Sequence, residues 1–229
     1  MSAPIHTQPK ESFAALLKPI LVIVIISASA AALLAVVKEA TRDAIAAAEL
    51  AETEKGVKLV LPVGVDVDVT KTASTTVNGK ELTLYAGTDA DGRITSVAVK
   101  TFSQKGYSGF VGVMVGFAPL DDPAALKVTR TYILSHAETP GLGAKITSCQ
   151  EVNDAAECGN AFWTRFKDRP VDAAVLKVDK DGGEIQALTS ATISTRAVTG
   201  AVLEAGEHVK TNRVAILADL EAALKGGSK

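Results

Sequence analysis

The first hydrophobic pattern along the chain is an uninterrupted apolar run. Residues 19–37 carry no charged side chain, and Lys18 and Lys38 bracket them. This length approaches the roughly 20 residues that an α-helix needs to cross a bilayer. Flanking lysines are typical of helix ends that meet lipid headgroups. The run therefore predicts a single transmembrane helix over residues 19–37, preceded by an N-terminal tail over residues 1–18.

A cleaved signal peptide is the alternative interpretation of this run. The small residues at 27–32 resemble a cleavage region, but the apolar stretch exceeds the roughly 7 to 15 residues usual for a signal peptide. Basic residues lie on both sides of the run, so the charge distribution does not set its orientation.

Beyond residue 38 the pattern changes from helical to strand-like. Alanines at 40, 44, 47 and 48 recur at helical spacing and predict a helical stalk over residues 38–55. From residue 56 onward short apolar runs predict strands, and Asp91-Gly92 lies between two of them as in a β-hairpin. The predicted strands cover residues 57–61, 65–69, 82–86, 94–99, 110–117 and 128–134. Residues 56–229 are therefore expected to form an α+β domain with a mostly antiparallel sheet and flanking helices.

Helical spacing returns near the end of the chain. Val198, Val202, Ala205 and Val209 share one face of a predicted helix. After Thr211 the apolar residues predict a terminal amphipathic helix.

Five hydroxyl side chains crowd just before the first of these helices: Thr189, Ser190, Thr192, Ser194 and Thr195. A helix N-terminus has unpaired backbone N–H groups and the positive end of the helix dipole, and both favour an anion. The cluster therefore predicts a phosphate site, with an ordinary Ser/Thr helix cap as the alternative.

The loop at residues 136–143 is the second candidate for binding. Pro140, Gly141 and Gly143 lie within a few residues and predict a sharp turn that exposes backbone N–H groups. The loop is therefore expected either to bind a ligand or to turn directly into a short helix near residues 144–146.

The amino-acid composition limits the kinds of ligand and cofactor that the chain is expected to bind. The formal net charge is −2 and the pI is about 6.0, so no basic field attracts nucleic acid. Only three His and two Cys are present, which disfavours a haem, zinc or iron–sulfur site. A redox cofactor would accordingly be organic, and no metal site is predicted.

Three segments together resemble a known family. Residues 189–192, Thr-Ser-Ala-Thr, resemble the Ser/Thr-Gly-Ala-Thr flavinylation motif of covalent FMN-binding domains. Residues 138–143 match the Glu-Thr-Pro-Gly-Leu-Gly signature of these domains, and residues 106–109 match their Gly-Tyr-Ser-Gly segment. Two positions depart from the family pattern: Ser190 replaces a Gly, and Gln186 replaces an Asp.

The order of these motifs behind an N-terminal anchor is similar to that in the G subunits of Rnf-type ion-translocating electron transport complexes. The alternative is the C subunit of sodium-translocating NADH:quinone reductases. The resemblance implies a membrane-anchored flavoprotein that carries FMN as a one-electron carrier, within a translocase that couples redox flow to Na⁺ or H⁺ transport. The chain would be an electron-transfer subunit, not an enzyme on its own.

In that family the last Thr of the motif carries FMN through a phosphoester, which assigns covalent FMN to Thr192. The resemblance and the loop argument together give this set of cofactor-binding residues: Thr189, Ser190, Ala191, Thr192, Ser194, Thr195, Glu138, Thr139, Gly141, Leu142, Gly143, Tyr107 and Ser108. Glu138 and Thr139 are expected to hydrogen-bond the isoalloxazine ring.

The resemblance also implies a cell inner membrane location, with a single pass and the soluble domain on the periplasmic side. The implied partners are the lipid bilayer, the other membrane subunits of the complex, and a flavin transferase for maturation. A membrane-tethered assembly or interaction module without covalent flavin remains the alternative function.

Cys149 and Cys158 are the only thiols and flank a polar segment. A disulfide closing this loop of about 10 residues would add roughly 2 to 3 kcal/mol of stability in the chain-entropy model. Such a bond would suit an oxidising compartment, and two unpaired thiols are the alternative.

Overall fold

A computed structural model of the chain describes residues 13–152 and 161–226. The chain divides into two compact units, Met1–Leu50 and Ala51–Lys229. Helix α1 covers Phe13–Val60 and contains the predicted apolar run. It is the one helix among the described residues that is long and apolar enough to cross a membrane. The predicted transmembrane segment and stalk therefore belong to a single helix.

The last turns of α1 contradict the strand predicted over residues 57–61. Residues 57–60 finish the helix, and Val57 and Val60 are both fully buried against Met114 and Tyr132. In a helix, a spacing of three residues puts these two valines on the same face. In a strand, the same spacing would put them on opposite faces. Their β-branched side chains favoured the strand by propensity, and tertiary packing overrides it.

The second unit is built on a five-stranded antiparallel sheet with strands in sequence order. The strands are β1 Thr72–Val77, β2 Lys80–Thr88, β3 Ile94–Gly106, β4 Gly109–Ala118 and β5 Lys127–His136. The hairpin predicted around Asp91-Gly92 joins β2 to β3, and Gly92 adopts a φ of 77° that suits glycine in a tight turn. The predicted α+β class is confirmed.

Alternation along the strands divides the core between the two faces of the sheet. Val113 and Val115 of β4 belong to the larger cluster, whereas Met114 between them belongs to the smaller cluster around Val57. This period of two lets one strand contribute to both layers.

Two helices cover the face with the larger cluster. Helix α2, Thr192–Thr211, buries the predicted stripe Val198, Val202, Ala205 and Val209. Helix α3, Arg213–Lys225, buries Ile216 and Leu220. Both predicted helices are confirmed, and α2 begins at the hydroxyl cluster.

Two further segments differ from the sequence-based expectation. Residues 65–69 were predicted as a strand, but they form one isolated bridge, Asp66 to Thr88. Asp68 accepts hydrogen bonds from the backbone and the hydroxyl of Thr70 and so turns the chain. Strand β1, Thr72–Val77, was not predicted because this polar edge strand has no buried apolar alternation.

Candidate functional site

Thr192 is the first residue of α2. The backbone N–H groups of Thr192, Ile193 and Ser194 have no acceptor among the described residues, as expected for the first turn of a helix. The ammonium of Lys180 donates a 3.0 Å hydrogen bond to Thr192 Oγ1. The Thr192 hydroxyl is therefore surrounded by donors and positive charge, which is the environment that an anion requires.

The approach to α2 depends on two other hydroxyl residues. Ser190 adopts a φ of 64°, in the left-handed region that favours glycine. Thr195 is fully buried, and its hydroxyl donates to Ala191 O and accepts from Leu188 N, with both distances close to 3 Å. Thr195 therefore shapes the turn before the helix, and its hydroxyl is occupied within the protein.

The predicted turn after β5 is present and leads into a 3-10 helix, Gly143–Thr147. The carbonyl of Thr139 accepts hydrogen bonds from the N–H groups of Leu142 and Ala144. Gly141 adopts a φ of 76° at the tip. This local network folds the signature loop back on itself, so that Leu142 stands out from the surface with its side chain half exposed.

Glu138 joins the signature loop to its neighbours. Its side chain is only 4% exposed, and Oε2 accepts a 2.8 Å hydrogen bond from Ser194 Oγ. Its Oε1 accepts a long hydrogen bond, 3.4 Å, from the Ser108 backbone N–H. One buried carboxylate of the signature loop thus contacts both the Gly-Tyr-Ser-Gly segment and the first turn of α2, just beyond the Thr-Ser-Ala-Thr motif.

Glycines make this close approach possible. A Cβ added at Gly143 would lie 2.5 Å from Glu138 Oε2 and 2.7 Å from Ser194 Oγ. A Cβ added at Gly106 would lie 2.5 Å from Glu138 Oε1. Both distances are far inside van der Waals contact, so these two positions need glycine if the carboxylate is to keep its place.

The three segments enclose a pocket of about 470 Å³. This is within the usual range for small-molecule and cofactor sites. Nine of the predicted residues line it, together with Ile193, which was not predicted. The lining residues are Tyr107, Glu138, Thr139, Leu142, Gly143, Ser190, Ala191, Thr192, Ile193 and Ser194.

Four predicted residues do not line this pocket: Ser108, Gly141, Thr189 and Thr195. Ser108 and Thr195 support its walls through the hydrogen bonds described above.

Three apolar side chains at the pocket remain exposed: Tyr107 at 68%, Leu142 at 45% and Ile193 at 46%. An exposed apolar rim of this kind suits a flat, partly apolar ligand.

The acidic side chains of Asp181 and Glu184, near the start of α2, form ion pairs with arginines. Arg196 donates two hydrogen bonds of 2.6 Å to Asp181, and these bonds hold the pKa of the Asp181 carboxyl below its usual value. Glu184 pairs with Arg169. At Gln186, where the family pattern has Asp, the backbone carbonyl accepts a hydrogen bond from Arg165. Neither Asp181 nor Glu184 lines the pocket.

Lys180 and Ile193 are the residues that sequence reasoning missed. Ile193 directly follows the Thr-Ser-Ala-Thr motif, and its apolar side chain offers no polar group that would predict a place in the site. Lys180 lies 12 residues before Thr192 in an exposed acidic turn, and no sequence signal connects the two.

Two other predictions concern metals and disulfides. No cluster of three or more His, Cys, Asp or Glu suited to a metal occurs among the described residues. Cys158 lies outside the described residues, so the Cys149–Cys158 disulfide stays a prediction.

Comparisons with known proteins agree with the site. Residues 106–207 match the FMN-binding domain family. The G subunit of the ion-translocating oxidoreductase complex of Methanosarcina acetivorans is 30% identical over 193 residues, covering 84% of this chain and 93% of that protein. The protein of the same name from Vibrio atlanticus is 32% identical over 206 residues, covering 86% and 92%.

Two further proteins are more distant or match over a shorter stretch. The G subunit of the proton-translocating ferredoxin:NAD(+) oxidoreductase complex of Clostridium ljungdahlii is 38% identical over 136 residues, covering 59% of this chain and 63% of that protein. The crystal structure of Shewanella oneidensis NqrC is 20% identical, with a TM-score of 0.38 and coverage of 66% and 70%.

Proposed function

This chain belongs to the family of G subunits of ion-translocating oxidoreductase complexes, and from that premise we propose that it is a membrane-anchored flavoprotein subunit. It carries FMN as a one-electron carrier in a complex that couples redox flow to ion translocation. It passes electrons between neighbouring carriers and catalyses no reaction by itself. The flavin supplies the redox chemistry, and the protein supplies its position and electrostatic surroundings.

The observation that carries this proposal is the pocket shared by the signature loop and the start of α2. The loop and Thr192 are about 50 residues apart in sequence, yet they line one cavity. Two kinds of chemistry meet at this cavity. At Thr192, the N–H groups of the first turn of α2 suit a phosphate, as does the Lys180 ammonium that contacts the Thr192 hydroxyl from outside the lining. Tyr107 and Leu142 of the lining suit an aromatic ring.

We assign the covalent attachment to the Thr192 hydroxyl. In this attachment a bond would form between Thr192 Oγ1 and the FMN phosphorus, and the hydroxyl proton would pass to a base. The bond that would break is the phosphoanhydride of an activated donor, such as a flavin dinucleotide, whose nucleotide would leave with the electron pair. An unaided Thr hydroxyl is a poor nucleophile, so a separate flavin transferase is the expected catalyst.

Within the pocket we assign different tasks to the two polar residues of the loop. Thr139 is exposed and lines the cavity, so its side chain is free to hydrogen-bond the flavin ring. The Glu138 carboxylate already accepts hydrogen bonds from Ser194 and from the residue 108 amide. Glu138 therefore holds the loop against α2 and affects the ring through the position of its neighbours.

The anchor and partners follow from the family and from α1. In this proposal the exposed apolar segment of α1 spans the lipid bilayer once. The family resemblance, and not α1, supports placing the flavin domain outside the cytoplasm, on the periplasmic side of an inner membrane. Covalent attachment would prevent loss of a soluble cofactor there. The other membrane subunits of the complex are the electron-transfer partners.

Expression of the chain with and without a flavin transferase tests the covalent link. Intact mass spectrometry under denaturing conditions should show an increase equal to FMN less one water, only when the transferase is present. Thr192→Val should abolish the increase, because valine keeps the shape of threonine and removes the hydroxyl. Thr189→Val is the matched control and should retain it, since Thr189 lies outside the pocket.

Equal flavin loading of the two variants would disprove Thr192 as the acceptor. No mass increase in the wild-type chain would disprove the covalent carrier and favour the membrane-tethered assembly module.

The orientation has its own test. A cysteine replacing Asp91, in the exposed hairpin between β2 and β3, should react with a membrane-impermeant thiol reagent in cells whose outer membrane is permeabilised. The wild-type chain provides the background from Cys149 and Cys158. Labelling above that background only after the inner membrane is lysed would place the domain in the cytoplasm.

A further inference from the structure

Lys180 occupies an unusual position beside the proposed attachment site. It is the middle residue of a short 3-10 helix, Asp179–Asp181, on the surface next to α2. Its side chain is exposed, yet Nζ lies 3.0 Å from Thr192 Oγ1 as a hydrogen-bond donor. An exposed lysine normally extends into water or pairs with a carboxylate, so a neutral hydroxyl is a weak partner for this charge.

The two carboxylates adjacent to Lys180 in sequence are directed elsewhere. Asp179 Oδ1 accepts hydrogen bonds from the backbone N–H groups of Lys180 and Ala187. Asp181 forms the two-bonded pair with Arg196. Among the described residues no carboxylate lies within ion-pair distance of the Lys180 ammonium. Arg196, the other cation close to the start of α2, is already neutralised by Asp181.

The net charge close to the Thr192 hydroxyl is therefore positive, because no carboxylate among the described residues pairs with the Lys180 ammonium. The N–H groups in the first turn of α2 add the positive end of the helix dipole to the Lys180 ammonium. A phosphodiester formed on Thr192 Oγ1 carries one negative charge. Its free oxygens are connected to Oγ1 through the phosphorus, and therefore lie close to Oγ1. Those oxygens come within reach of Lys180 because the ammonium already contacts Oγ1.

We propose that Lys180 is the counter-charge for the flavin phosphate at Thr192, and that it holds the phosphate during and after attachment. This inference rests on the proposed function of Thr192 as the FMN acceptor. Charge-assisted hydrogen bonds from an ammonium to a phosphate are stronger than neutral ones. Lys180 thus fixes the phosphate end of the cofactor, while the signature loop borders the ring.

The rate of flavin attachment tests this assignment. The full chain, purified in detergent without flavin, is incubated with a flavin transferase and its flavin donor, and intact mass is followed over time. Lys180→Gln should slow attachment by about tenfold or more, the loss expected for one charge-assisted hydrogen bond. Lys180→Arg should restore most of the rate, because it restores the positive charge.

Lys177→Gln is the matched control. It removes an exposed lysine from the same surface segment, and Lys177 makes no contact with Thr192 among the described residues. Its attachment rate should equal that of the wild type. Thermal unfolding before flavin addition checks that all variants are folded.

A second measurement tests whether the positive charge of Lys180, and not the shape of its side chain, is what stabilises the phosphate. Flavinylation should raise the unfolding temperature of the wild type, and the gain should shrink as salt is added, because salt screens the ammonium and the phosphate. Flavinylated Lys180→Gln should show a smaller gain with little salt dependence. If this variant accepts no flavin at all while Lys177→Gln does, the rate measurement alone supports the proposal.

The outcomes separate the two claims. Wild-type attachment with equal rates and equal salt dependence in Lys180→Gln would overturn the role of Lys180 and leave Thr192 as the acceptor. Slow attachment in both Lys180→Gln and Lys180→Arg, with an unchanged salt dependence, would also overturn it. Absence of attachment in the wild type would overturn both claims.

Discussion

Ser194 Oγ donates a hydrogen bond to Glu138 Oε2 at 2.8 Å, joining the first turn of α2 to the loop after β5 across 56 positions of sequence. Both side chains are almost fully buried. Removing one partner of such a buried hydrogen bond costs more free energy than the bond itself contributes, because the remaining polar group is left buried and unpaired. The pocket therefore depends on a polar contact between two of the residues that line it.

Glu138→Ala should destabilise the domain by about 1 to 3 kcal/mol, because it leaves the buried Ser194 hydroxyl without its acceptor. Urea unfolding of the full chain in detergent measures the change. Covalent flavin should still form, since Thr192 is intact, but the visible spectrum or midpoint potential should shift as the loop moves relative to the ring.

Glu184→Ala is the control for loss of an acid, because Glu184 forms an exposed pair with Arg169. Its cost should stay below about 1 kcal/mol, as is usual for surface pairs. Equal effects of the two substitutions would contradict the structural role of Glu138.

Gly143→Ala should disrupt the site, since the added Cβ would overlap both Glu138 Oε2 and Ser194 Oγ. We expect a fall in the unfolding temperature and slower flavin attachment. Gly200→Ala adds the same methyl group on the exposed side of α2, where nothing lies within 4 Å. That control should be neutral or stabilising by up to about 1 kcal/mol, because alanine is the better helix former. Loss of stability only in Gly200→Ala would contradict this packing.

Ser190→Gly should stabilise the chain by about 1 kcal/mol, because a non-glycine residue in the left-handed region carries a cost of that order. It also restores the glycine of the family motif. The midpoint of urea unfolding provides the measurement, and flavin attachment should be retained. Destabilisation by glycine would mean that the Ser190 side chain contributes more than its backbone conformation costs.

His208 predicts a pH dependence of stability. Burial lowers the pKa of its imidazole below the ordinary value of 6.5. Asn212 Nδ2 lies 3.0 Å from Nδ1, so Nδ1 accepts a hydrogen bond and Nε2–H donates to Thr75 Oγ1. Protonation of the ring would remove the acceptor at Nδ1.

The unfolded chain therefore binds this proton more readily than the folded chain. Stability should fall as pH drops below about 6.5 and level off below the folded pKa. His208→Gln should flatten the difference in urea midpoint between pH 8 and pH 5.5 relative to the wild type. An unchanged pH profile in this variant would assign the effect to other groups.

Local sequence patterns predicted much of the architecture. The charge-free run, the helical stripe after Thr192 and the hairpin at Asp91-Gly92 depend on interactions within a few residues, and all three are present. Prediction was wrong at residues 57–61 and 65–69, where β-branched residues favoured strands. Packing against Tyr132 kept the first segment helical, and the Asp68 side chain turned the second.

The sequence by itself determined where the candidate site lies, because its three motifs are contiguous segments and the helix start is a local property of α2. Only the tertiary structure decided which atoms meet there. The Glu138–Ser194 bond and the Lys180–Thr192 contact join residues distant in sequence, and their side-chain directions follow from the packing of α2 against the sheet. No periodicity or spacing encodes such a contact, since it exists only when the core has brought both backbones into place.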